Sequence, residues 1–439
     1  MIAPNTTPQP LNIIILGGGI AGLTTALALT KYAPSTHPPP SITIYEIRPQ
    51  PATIGGAVNL TPNALRLLSH LGALDEIRAR HYGKECLAVE VFDLYSNAKL
   101  AESSFRGPDG KGLGNPPFTA LRITRGESLK GVLAAIEKHP NIRLVCGKKT
   151  VDIKEDERGV DITFEDGESA SADILIGCDG IHSVTRLKHV EPGRKSVYSG
   201  ICNAFGFAPR RKTSSSPDAP FEPTHFETTA MNFARRGILL TSFHNEAQDS
   251  IYVGGLMQVP SIASRDGWKA AGADAENTRN DMLERFAAGA ANSLIRTVIQ
   301  DAQDLYLWPI FTLSKAGKWA TDRVVLIGDA AHAMPPQGES TGIVFEDGVL
   351  FARCLARWME KGGEKMAPVK EAFDAYEKLR RARIETAYDE SQSVVKTVLD
   401  AGWLGHKIKL NVIPWYLWWT RGYREAHFIE DVTSCELGY

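Results

Sequence analysis

The sequence predicts an α/β protein, α+β overall, with a Rossmann-like domain, a mostly antiparallel β-sheet domain and a C-terminal helical segment. Three observations predict it. Residues 11–16, an apolar β-branched run, lead through glycines into an Ala/Leu/Thr-rich stretch, the strand–turn–helix order of a parallel sheet. Residues 186–300 change to alternating strands separated by loop signals. Residues 323–332 return to the strand-to-turn pattern of the start, and the chain then reads as helix from 343 onward. At 439 residues more than one packed unit is expected.

Taken in order, residues 20–32 form a helix that the four prolines of 33–41 end, and residues 41–47 supply a second strand. Residues 60–80 carry apolar side chains at helical spacing, with Thr61 placed to cap and Pro62 in the first turn. A further helix is expected over 128–138, a strand over 142–147, a hairpin over 151–166 and a buried strand within 171–180. Strands over 196–207, 237–243 and 250–259 flank a Pro/Ser-rich loop at 210–220. These readings divide the chain into a discontinuous first domain (1–80, 115–185, 300–365), a sheet domain (81–114, 186–299) and a helical segment (366–439). In that segment Trp415, Trp418 and Trp419 are expected to pack in a core, with a lid or a weak membrane-surface contact as the other readings.

Composition narrows the function classes. The chain is 43% hydrophobic and 23% charged with a net charge of −2, which shows no nucleic-acid footprint. Six scattered cysteines without a CxxC pair argue against a zinc site or a disulfide scaffold and fit a reducing compartment. The first ten residues lack a basic region and are broken by prolines, so no secretory signal is read and Asn5-Thr6-Thr7 is an idle glycosylation match. A cytoplasmic location is expected.

Three motifs carry chemistry. Gly17-Gly18-Gly19-Ile20-Ala21-Gly22 satisfies GxGxxG between a strand and a helix, where glycines let backbone N–H groups approach a pyrophosphate at the positive helix end. Glu46 closes the second strand, where a carboxylate accepts hydrogen bonds from a ribose. Its spacing exceeds the usual ~20 residues because of the inserted proline loop. The second motif is Cys178-Asp179-Gly180-Ile181-His182-Ser183 with Arg186 after it. The third is Gly328-Asp329-Ala330-Ala331-His332-Ala333-Met334-Pro335-Pro336-Gln337-Gly338.

With these in order and in register, residues 11–360 resemble the FAD-dependent aromatic hydroxylases, the single-component (class A) flavin monooxygenases, and within them a fungal-type member of secondary metabolism. The resemblance implies FAD as cofactor. Gly17, Gly19, Ile20, Ala21 and Gly22 would bind the ADP pyrophosphate and Glu46 the adenosine ribose. Asp179 and Gly180 would stand where FAD meets the nicotinamide, and Gly328 and Asp329 would hold the ribityl chain. Arg125 matches an FAD-holding arginine, with Arg122 as the competing match, and Ala57 stands where relatives place glycine against the flavin. Pro335, Pro336 and Gly338 would line an isoalloxazine face, and the helix starting near Gly342 would aim its N-terminus at the flavin N1/O2 edge. The glycine that relatives carry after the proline loop is shifted here, in Gly338-Glu339-Ser340-Thr341-Gly342.

The implied reaction uses NADPH or NADH and O₂ to hydroxylate an apolar or aromatic small molecule through a flavin hydroperoxide. Some fungal relatives hold a phenolate with an arginine and a tyrosine, but the matching stretches read Tyr198-Ser199-Gly200 and Ser242-Phe243-His244. The catalytic candidates are His244, as a replacement acid/base against a packing role, and Pro335; His332 reads as structural. Epoxidation of a polyene or prenyl chain, or oxidase or reductase chemistry on the same scaffold, is the alternative.

Overall fold

The computed structural model describes residues 9–53, 55–336, 338 and 340–438. Asn5-Thr6-Thr7, Gln337 and Glu339 lie outside the described residues. Five parallel strands form the first sheet in the order Val324–Leu326, Ile174–Gly177, Asn12–Leu16, Ser41–Glu46, Ile142–Cys146. Asn12–Leu16 and Ile174–Gly177 at its centre are almost wholly buried and apolar, as a sheet covered on both faces requires. Helix Ile20–Lys31 makes the crossover from Asn12–Leu16 to Ser41–Glu46 and is buried from Gly22 to Leu29, because it lies between that sheet and the long helix Ser340–Glu360.

Two elements differ from expectation at their ends. The helix expected over 60–80 is two helices, Pro62–His70 and Ala73–Ala79, because Gly72 adopts a left-handed φ of +76° between them. Thr61 occupies the N-cap position, yet its hydroxyl donates to Asn63 Oδ1 instead of accepting from the helix. The next helix starts at Arg125, three residues earlier than 128, since Thr124 and Glu127 close a reciprocal capping box.

The large sheet has seven strands in the order Gln303–Thr312, Val197–Pro209, Ser250–Gln258, Gly237–Phe243, Thr229–Ala234, Ala88–Asp93, Lys99–Ser104. All its pairings are antiparallel except Thr229–Ala234 with Ala88–Asp93. Strand Gln303–Thr312 thus belongs to this sheet, beyond the boundary at 299 expected from the sequence. It is an edge strand, where Pro309 is tolerated. A three-stranded sheet, Ala57–Leu60, Ala120–Thr124, Lys84–Cys86, takes strands from all three stretches meeting near residues 81 and 115.

The C-terminal segment comprises helices Lys370–Val398, Trp403–Trp419 and Arg421–Ile429. Here the expectation of core packing is overturned: Trp415, Trp418 and Trp419 are 58%, 72% and 65% exposed. The helix buries only His406 and Ile413.

Candidate active site

The glycine loop is built by opposite demands on its glycines. Gly17, at φ +113°, donates its N–H to Tyr45 O at 2.8 Å, and a Cβ there would sit 2.3 Å from Cys178 O. A Cβ on Gly22 would meet Gly17 O at 2.0 Å. A Cβ on Gly19 would meet nothing within 4 Å. Gly19 N-caps helix Ile20–Lys31 with no side-chain cap, so the first N–H groups of the helix face open space at its positive end. That cradle fits an anionic phosphate. Behind it, Glu46 is buried, with Oε2 accepting from Gly18 N at 2.8 Å and Oε1 from Arg48 N at 2.9 Å. Each oxygen keeps a second lone pair for a hydroxyl donor.

The Asp179-Gly180 turn is held from within. Asp179 Oδ2 accepts from Thr185 N (2.9 Å) and Thr185 Oγ1 (3.0 Å), while burial pushes its carboxyl pKa up. Arg186, wholly buried, donates to Ile181 O (2.7 Å), Arg194 O (3.0 Å) and Ala330 O (2.8 Å), and Arg194 donates to Ala331 O (2.9 Å). Two arginines therefore clamp the second motif onto the short helix Asp329–His332 of the third. Arg186 was visible beside its motif; Arg194 carried no signal in the sequence.

Gly328 takes φ +65° and ψ −141°, and its N–H donates to Asp347 Oδ2 at 3.2 Å. Asp347 also bonds His332 Nε2 (2.8 Å) and accepts from Arg380 Nε (2.6 Å); Arg380 pairs with Glu346 (2.9 Å), and Asn63 donates to Glu346 (2.7 Å). Burial opposes the charge on Asp347, but His332 and Arg380 outweigh it and hold the carboxyl below its usual range. His332 is structural, as its context suggested. This buried network was not foreseen, since its members come from four separate helices. Asp329, by contrast, is exposed and has no hydrogen-bond or ion-pair partner among the described residues, leaving its carboxylate open to a ligand hydroxyl.

The remaining residues surround the join between the sheets. Arg125 is exposed at the start of its helix and lies against Gly55, where a Cβ would come 2.5 Å from its Cδ. Arg122 points elsewhere and is buried, donating to Ser242 Oγ at 2.9 Å. Ala57 packs with Phe205 and Tyr252, joined by Phe207, Leu240 and Tyr306 from the same face of the large sheet. His244 shares that face. Its Nε2 bonds Ser250 Oγ (3.1 Å), its ring meets Phe207 edge-on at 4.9 Å, and burial lowers its pKa. Pro335 is buried and Pro336 half-buried, after an Ala333 carbonyl that accepts from Leu313 N at 2.9 Å. A Cβ on Gly338, at φ +92°, would meet nothing within 4 Å, and one on Gly342, in the first turn of Ser340–Glu360, would come 3.1 Å from Asn63 Nδ2.

Comparison with known proteins agrees with this geometry. A family model described as an FAD binding domain matches residues 11–391. The chain is 28% identical over 391 residues to a salicylate hydroxylase of Pseudomonas putida, covering 85% of this chain and 82% of that one. It is 25% identical over 376 residues to 3-amino-4-hydroxybenzoate 2-monooxygenase of Streptomyces cremeus, covering 85% and 84%. It is 26% identical over 411 residues to a 6-methylsalicylate 1-monooxygenase of Aspergillus terreus, covering 90% and 83%. In fold it is similar to Klebsiella pneumoniae HpxO complexed with FAD and uric acid (TM-score 0.71, 21% identity, 98% of each chain).

Proposed function

We propose that this chain, which belongs to the FAD binding domain family, hydroxylates an aromatic small molecule held between the glycine-loop domain and the large sheet. It is an FAD-dependent monooxygenase that uses NAD(P)H and O₂. The observation that carries the reading is the donor-lined, side-chain-free cradle at Gly19, with a free carboxylate at Asp329 and an aromatic sheet face at Ala57.

Bound and reduced FAD supplies the activated oxygen; the protein binds, orients and excludes water. The N–H groups of Ile20, Ala21 and Gly22 hold the pyrophosphate and Glu46 a ribose hydroxyl. Asp329 accepts from the ribityl chain, and Arg125 adds a positive charge beside the loop at Gly55. The N-terminus of Ser340–Glu360 favours negative charge near it. Phe205, Phe207, Leu240, Tyr252 and Tyr306 supply the apolar wall for a ring. Burial lowers the pKa of His244 and so favours its neutral ring, and among the described residues its Nδ1 has no partner, which supports it as a proton acceptor.

Among the described residues no helix is long and apolar enough to cross a membrane. We place the protein in the cytoplasm, a reading that its six unpaired cysteines support. The test is direct. Purified protein should be yellow, and an aromatic substrate should speed NAD(P)H oxidation and gain the mass of one oxygen atom. Protein that stays colourless in excess FAD would overturn the proposal.

A further inference from the structure

Helix Trp403–Trp419 carries an apolar stripe on the side away from the protein. Toward the protein, Ile413 packs with Leu410 and Leu417, His406 Nε2 bonds Asp93 Oδ1 at 3.1 Å, and Lys409 donates to Thr397 O (3.0 Å) and Leu399 O (2.7 Å). Outward, Leu404, Ile408, Val412, Trp415 and Trp419 follow one another at helical spacing, and each is at least half exposed. The last two rings stack 7° from parallel with centroids 5.7 Å apart, and Trp418 stands exposed beside them. Single exposed apolar side chains are ordinary. A stripe running the length of a helix marks a contact surface, because a surface helix normally turns its one stripe to the core.

Charge and residue type say what the stripe fits. From Ala401 to Arg424 the chain carries Lys407, Lys409, Arg421 and Arg424 and no acidic residue, although the whole chain has a net charge of −2. Lys409 and Arg424 are turned to backbone carbonyls, while Lys407 and Arg421 are exposed, one near each end of the helix. Arg421 pairs with Glu425 at 2.7 Å, an exposed contact that water and salt screen. A second copy is disfavoured by this pattern. A two-fold contact lays a patch against itself, so like charges would approach with no acid from either segment between them. An anionic lipid surface meets the same pattern with opposite charge. The aromatic side chains agree, since tryptophan and tyrosine settle at the headgroup level, and Trp403, Tyr416 and Tyr423 are exposed as well. Among the described residues no helix is long and apolar enough to cross a membrane, so the fit is to a surface with the helix lying along it.

We propose that helix Trp403–Trp419 seats the protein on an anionic phospholipid surface, its tryptophans entering the headgroup region while Lys407 and Arg421 meet the anionic headgroups. The inference does not depend on the hydroxylase reading. The experiment sediments the whole FAD-loaded chain with vesicles of phosphatidylcholine alone and of phosphatidylcholine with phosphatidylserine. Two cations at the surface should make binding about thirtyfold tighter to the serine lipid, a preference that added salt weakens. Lys407→Gln with Arg421→Gln should remove that preference. Trp415→Ser with Trp419→Ser should weaken binding to both vesicles at least about tenfold, with FAD content and unfolding temperature near those of the wild type. If that variant does not fold, brominated lipid should still quench the tryptophan emission of the wild type. Failure to sediment with the anionic vesicles, an unquenched wild type, or equal binding by a folded tryptophan variant overturns the assignment. A dimer that forms without vesicles and that the tryptophan substitutions dissolve also overturns it, by placing a second copy on the stripe.

Discussion

Gly19 and Gly22 stand three residues apart and answer to different constraints, which mutation can separate. A side chain on Gly22 collides with the backbone of Gly17 inside the protein, whereas one on Gly19 enters open space. Gly22→Ala should therefore destabilise the apoprotein by about 1–3 kcal/mol. Gly19→Val should leave apoprotein stability within about 1 kcal/mol, as φ at Gly19 is an ordinary −81°. It should nevertheless weaken FAD binding at least about tenfold, roughly 1.4 kcal/mol. Urea unfolding of the apoproteins and FAD titration separate the two; equal affinity of Gly19→Val and wild type would remove the pyrophosphate from this loop. The loop was legible because its residues are contiguous and their conformational demands are local. Ser242 was not legible in the same way. Read alone it marked the absence of a phenolate anchor, while in the fold its hydroxyl holds Arg122, 120 positions earlier in the chain.

Among elements, helices Ser340–Glu360 and Lys370–Val398 are joined by charges inside the protein. Asp347 is wholly buried, and its folded pKa lies below the unfolded value, so its contribution is complete above the unfolded pKa and is lost as pH falls through the folded one. Stability should fall steeply below about pH 4. Asp347→Asn should lower stability by about 3 kcal/mol at pH 7, because Glu346 is then the one carboxylate left to Arg380 among the described residues. It should also flatten that acid slope, which urea midpoints between pH 3 and 7, each about a unit apart, would reveal. A slope unchanged in the variant would assign the acid sensitivity elsewhere. Helix Trp403–Trp419 makes the opposite case. Its tryptophans suggested core by residue type alone, but amphipathic spacing cannot say which face meets protein. Trp415→Ser and Trp418→Ser should each change stability by under about 0.5 kcal/mol, while Trp319→Ala, at a site 1% exposed, should lower it by about 3–5 kcal/mol. Thermal unfolding of the three variants decides this; a large loss from the exposed pair would mean that the helix face is covered in solution.

Over the whole molecule, the buried strands of the parallel sheet were legible beside the motifs, since each motif sits where such a strand ends, but their order was not read. What did not follow was how the two large sheets meet. Strand Gln303–Thr312 crosses into the large sheet, and the small sheet at Ala57–Leu60 draws on three separate stretches of chain. Pairings between distant segments leave no periodic trace in the sequence, so the boundary near 300 and the junction at Arg122 were both hidden. On the proposed reading, FAD would run from the glycine loop past the turn that Arg186 clamps to the loop at Gly55 and Ala57. FAD binding should therefore act on stability as a bridge between bodies as well as by mass action. At a free FAD concentration about 100 times its Kd, the folded state should gain about 2.7 kcal/mol. Hydrogen exchange should slow together in residues 17–22, 55–57 and 328–336, which come from different parts of the chain. Stripping the FAD should lower Tm and release all three segments. Protection confined to the glycine loop would show that the cofactor binds one body and leaves the junction untouched.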